Sequence, residues 1–129
     1  MALASCTAIL AQDDSTDDKT GRLRDRMQQY IQKRLDMTKP EAERFSPIFL
    51  RYITDLRKTH RENRTDRPVL QLRIAELRVK YRNEFKEILG EQRANRVFQH
   101  QREFEEMVRK EIIERRKNRR SGQGAGTKP

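Results

Sequence analysis

The chain has 129 residues, is 39% charged with a formal net charge of +10, and contains one cysteine and no tryptophan. A lone cysteine excludes an internal disulfide, and no apolar stretch is long enough to span a bilayer. The length suits one domain, and apolar residues recurring at helical spacing, with no run alternating at period two, predict an all-α fold: four amphipathic helices in antiparallel hairpins.

Residues 1–11 are small and apolar, and Gln12-Asp13-Asp14-Ser15-Thr16-Asp17-Asp18 is acidic and polar. Residues 1–11 read as the remnant of a secretory signal peptide that lacks its basic start and most of its apolar region, with cleavage after Ala11. Residues 12–21 then form a disordered acidic leader, and the expected location is the periplasm. Two other readings stay open. Leu3-Ala4-Ser5-Cys6 has the form of a lipoprotein cleavage box, which makes Cys6 the lipid-bearing residue, and the segment also reads as a frayed cytosolic terminus with a chance cysteine.

The helical domain is expected over residues 22–117. Its first stripe is Leu23, Met27, Tyr30, Ile31 and Leu35, and its second is Ala42, Phe45, Phe49, Tyr52, Ile53 and Leu56. Leu70, Ile74, Leu77, Tyr81, Phe85 and Ile88 form the third, and Ala94, Val97, Phe98, Phe104, Val108 and Ile112 the fourth. Residues three, four and seven apart share one side of a helix, so each set defines a core-facing stripe.

The breaks carry start and stop chemistry. Thr38-Lys39-Pro40-Glu41 has the form of a capping box, which starts the second helix. Asp66 followed by Pro68 supplies an N-cap carboxylate and a first-turn proline for the third. Gly90 is expected to end that helix as a left-handed residue, with Glu91 at the positive end of the fourth helix and a very short link between them. Pro47 falls inside the second helix, beyond its first turn, and predicts a kink or bend.

Residues 118–129 read as a disordered basic and glycine-rich tail. The basic block Arg115-Arg116-Lys117-Asn118-Arg119-Arg120 suits phosphate or anionic lipid, and equally the negative end of a helix. The remaining charge is spread through every helix, with 21 Arg against 9 Lys, which describes a basic surface.

No catalytic constellation is visible, and an enzyme is not expected. His60 and His100 are far apart in sequence, so no short-spaced Cys/His set exists for a metal, and no cofactor is implied. Glu103, Glu105 and Glu106 cluster beside the fourth stripe and read as partners of nearby arginines. On the third helix, Leu72 and Val79 project almost opposite the core stripe, flanked by Ala75, Arg82 and Lys86. They read either as a dimer seam or client-binding surface with cationic edges, or as isolated surface side chains without a role. About twenty large apolar side chains make a thin core for the backbone they must order, which makes a homodimer attractive.

Arg34-Leu35-Asp36-Met37-Thr38-Lys39-Pro40-Glu41-Ala42-Glu43-Arg44-Phe45-Ser46-Pro47-Ile48-Phe49 resembles the helix-start motif of small periplasmic proteins of the Spy/CpxP, or LTxxQ, superfamily. The resemblance is nearest to the short secreted Bacteroidetes-type versions labelled heavy-metal or sigma-factor sensors. Tyr81-Arg82-Asn83-Glu84-Phe85-Lys86-Glu87-Ile88-Leu89, then Glu91-Gln92, then Phe104, resemble the second half of the pattern, so the likeness covers about residues 22 to 116. Met37-Thr38-Lys39-Pro40-Glu41 keeps the threonine but has Met for Leu and Glu for Gln; Leu89-Gly90-Glu91-Gln92-Arg93 keeps the leucine and displaces the glutamine. Thr38, Pro40, Glu41 and Pro47 are the positions that carry the motif.

The resemblance implies a helical, cradle-shaped dimer, and in some members ATP-independent binding of unfolded proteins through a basic concave surface with apolar patches. Other relatives sense metals through histidine-rich sites, which this chain lacks. The leading expectation is a periplasmic chaperone-like or envelope-stress accessory protein whose partners are unfolded or acidic clients. The alternative is a regulatory protein that binds a membrane sensor, in a sensor-kinase or sigma-factor system. A nucleic-acid binder comes third, because few aromatics are free to stack on bases.

Overall fold

The computed structural model describes residues 21–126, with side chains through residue 122. The expected signal segment, the acidic leader up to residue 20, and residues 127–129 lie outside the described residues. The architecture is all-α: α1 (residues 21–34), α2 (Lys39–Glu62), α3 (Arg67–Leu89) and α4 (Glu91–Gly126), with no strand among the described residues.

Cross-helix contacts fix the helix directions. Phe45 meets Phe85 while Asp55 meets Tyr81, so α2 and α3 run antiparallel. Arg93 reaches Leu35 while Arg26 reaches Glu111, so α1 and α4 are antiparallel too. The chain reverses at Gly90, which brings Phe98 of α4 back against Phe85 of α3, with ring centroids 6.1 Å apart.

Local chemistry explains the helix ends. The Thr38 hydroxyl accepts from the Glu41 amide at 3.3 Å and the Glu41 carboxylate accepts from the Thr38 amide at 3.0 Å, completing the capping box. Asp66 caps α3 by accepting from the Val69 amide. The α1 terminus was not anticipated: Asp36 takes a positive φ of 50°, the Met37 amide donates to the Gln32 carbonyl, and the Asp36 amide donates to the Lys33 carbonyl. That pair of bonds is a Schellman stop, usually built on glycine.

Gly90 does have a positive φ, 82°, but its ψ of 171° corrects the expected left-handed helical cap. This region is essentially reserved for glycine, and it lets one residue close α3 and open α4. The Gly90 amide donates to Lys86, and the Gly90 carbonyl accepts from Ala94. α2 runs through Pro47 without interruption.

Each predicted stripe supplies core residues, unequally. Ile31, Phe45, Phe49, Tyr52, Phe85, Ala94 and Val97 are fully buried, and Tyr81 nearly so. Phe45, Phe85 and Phe98, with Tyr52 and Tyr81, form a connected ring cluster whose centroids lie 5.0 to 6.3 Å apart, in the range where aromatic pairs attract beyond their buried area.

Away from that cluster the packing thins. Leu70, Ile74 and Leu77 on α3 are only half-buried, and Leu23 and Ile112, assigned to stripes, are exposed at 37% and 44%. α4 also continues past residue 117, the expected end of the helical domain, to Gly126. From Ile112 to Gly122 every residue is exposed, so this extension has no tertiary support; its Arg, Lys and Glu residues are good helix formers and keep the ladder going alone.

Candidate functional site

The outer face of α3 carries the surface expected from the sequence. Its inner face is committed to the core through Tyr81, Phe85 and Leu89, which leaves Leu72 and Val79, two turns apart, projecting outward with 55% and 48% exposure. Arg82 and Lys86 flank them but are more enclosed than expected. Both are half-buried, Arg82 Nε finds no acceptor among the described residues, and Lys86 lies 3.7 Å from Glu91. The patch is therefore apolar at its centre, with cationic groups partly drawn back at one edge.

The helix-start residues have a structural task. Arg93, on the first turn of α4, donates to the carboxylate of Glu41 and to the carbonyls of Leu35 and Leu89. One guanidinium thus ties the end of α1, the capping box of α2 and the α3–α4 reversal together. The Arg93 hydrogen bond first, then the Thr38 amide, hold the Glu41 carboxyl down at about 2. Thr38, Pro40 and Glu41 therefore sit at one clasp, and the two LTxxQ-like segments of the chain meet there. Pro47 lies further along α2, on its exposed side.

Glu103 corrects the expectation of arginine pairing. It accepts from the Tyr30 hydroxyl and from Gln99, and sits 2.8 Å from His100 Nδ1. These bonds, His100 foremost, hold its carboxyl below the ordinary carboxylate value. Glu106 does face an arginine, Arg109, at 3.7 Å. A second polar pair lies inside the core, where the Tyr52 hydroxyl donates to Gln101 Oε1 at 2.8 Å and both residues are buried. Gln101 occupies a core position in the spacing Val97, Phe98, Gln101, Phe104. A polar residue there signals a buried hydrogen-bond partner, and that signal was present in the sequence.

Among the described residues, no three His, Cys, Asp or Glu side chains converge as metal ligands, and no helix is long and apolar enough to cross a membrane. No protein family, curated protein or solved structure matches this chain.

Proposed function

We propose that this is an ATP-independent, chaperone-like binding protein of the bacterial envelope, which holds unfolded or acidic clients weakly and carries out no catalysis. The observation that carries the reading is the outward-facing pair Leu72 and Val79 on a chain of net charge +10. Exposed apolar side chains attract unfolded segments, and a basic field speeds and orients the encounter with acidic ones. The likeness of Met37–Glu41 and Leu89–Arg93 to the LTxxQ pattern agrees with this role, with location in the periplasm, and with action as a homodimer.

The test is light scattering from a chemically unfolded client as it aggregates, with and without the full chain, in the absence of ATP. Suppression near stoichiometric ratio, weakened by salt and abolished by Leu72→Glu with Val79→Glu at unchanged thermal stability, is the expected result. No suppression across several clients overturns the reading and favours the regulatory partner of a membrane sensor.

A further inference from the structure

The charge at the end of the bundle opposite the clasp is unbalanced. Arg24 of α1 and Arg57 of α2 border a hollow of about 190 Å³ whose walls include Leu23, Met27, Ile53 and Leu56. The side chains of Arg24, Arg57 and Arg61 make no hydrogen bond or ion pair with any described residue, and Arg24 Nε is buried without an acceptor among them. Glu105 is the one carboxylate on the hollow's wall, while His60 adds a further titratable group on the cationic side.

This arrangement is costly as it stands. Arg57 and Arg61 are one helical turn apart, where like charges repel. Partial burial first, then the charges of Arg24 and Arg61, hold the Arg57 guanidinium below its ordinary value. A carboxylate placed over the cluster relieves both effects, because opposite charge at a partly desolvated rim interacts more strongly than in open water.

The chain carries such carboxylates next to the hollow. Asp13, Asp14, Asp17 and Asp18 lie just ahead of α1, whose first turn supplies Leu23 and Arg24 to the hollow. Asp18 is within about 10 Å of chain from Gly21, and Asp13 within about 28 Å, so the whole run has the reach to double back over the cluster. A short tether also presents these carboxylates at an effective concentration of order millimolar, which an external anion must match.

We propose that the acidic run Asp13–Asp18 folds back onto Arg24, Arg57 and Arg61 and covers the hollow as an intramolecular ligand. The docking is independent of client binding at the outer face of α3, and each can fail without the other.

The experiment is NMR of the arginine Nε–H groups in the full chain. It compares wild type with Asp13→Asn/Asp14→Asn/Asp17→Asn/Asp18→Asn, and with Arg57→Gln/Arg61→Gln, which keeps Arg24 as the probe. Far-UV circular dichroism checks that each variant folds. Docking predicts an Arg24 Nε–H signal in wild type that is shifted and protected from exchange, and that loses both properties in either variant and in high salt. The same signal in all three proteins overturns the proposal. A signal that moves only on adding an acidic peptide in trans overturns it too, and assigns the hollow to an external acidic partner.

Discussion

The two ends of the bundle are built on different physics. At the clasp end, Phe45, Phe49, Tyr52, Tyr81, Phe85 and Phe98 pack around one another, and Arg93 joins three helix ends with charge-assisted hydrogen bonds. At the other end, the second half of α2 and the first half of α3 present half-buried aliphatic side chains and unpaired arginines, and α4 departs as a lone helix. A chain that is 39% charged has apolar material for one dense region only. Concentrating it gives a rigid anchor and leaves the remainder of the surface free to bind.

The sharpest way to break this comparison is a pair of truncations. Phe85→Ala removes a ring that contacts Phe45, Tyr81 and Phe98 and should cost about 3–5 kcal/mol in chemical denaturation. Leu72→Ala, on the outer face, should stay within about 0.5 kcal/mol. Similar losses at the two sites would contradict the division. Gly90→Ala comes next: an added Cβ meets no atom within 4 Å, so the penalty is all backbone, about 1–3 kcal/mol, and visible as a lowered denaturation midpoint.

The clasp also gives the protein an acid dependence with a definite sign. The folded-state value for Glu41 is lowered from 4.5 to about 2, so its contribution is fully present above pH 4.5 and is lost as pH falls through about 2. Glu103 is shifted in the same direction. Glu41→Gln should lower stability at pH 7 and flatten the wild-type loss between pH 4.5 and 2; a variant with the wild-type pH profile would show that the clasp does not stabilise the fold.

Two smaller effects sharpen the picture. Asp36→Gly places the residue best suited to positive φ at the Schellman stop and should stabilise the protein by about 0.5–1 kcal/mol. Ending the chain after Lys117 removes part of α4 that packs against nothing, and the melting temperature should not move.

Most of the fold was legible in the sequence because it rests on local signals. The stripes, the Thr38–Glu41 capping box and the Asp66 cap each depend on residues within one or two helical turns. What escaped was non-local or used atypical residues. Arg93 stands far in sequence from Leu35 and Glu41, and nothing around it marks it as their partner. The Schellman stop uses Asp36 in place of glycine. The thin end of the core was hidden because periodicity shows which face points inward but not whether a neighbour is there to cover it. Ile112 has core spacing and no helix against it. The candidate patch was half legible: Leu72 and Val79 stand out as a leftover stripe, whereas the retreat of Arg82 and Lys86 depends on packing.

The most direct measurement is residue-resolved amide hydrogen exchange on the full chain, alone and with an unfolded client. Alone, the slowest amides should lie in residues 45–56 and 81–104, with residues 57–77 and 112–122 exchanging faster. With client, additional protection should appear around Leu72 to Lys86 while the aromatic end stays unchanged. Uniform protection along α2 and α3, or client-induced protection confined to the clasp end, would contradict the account.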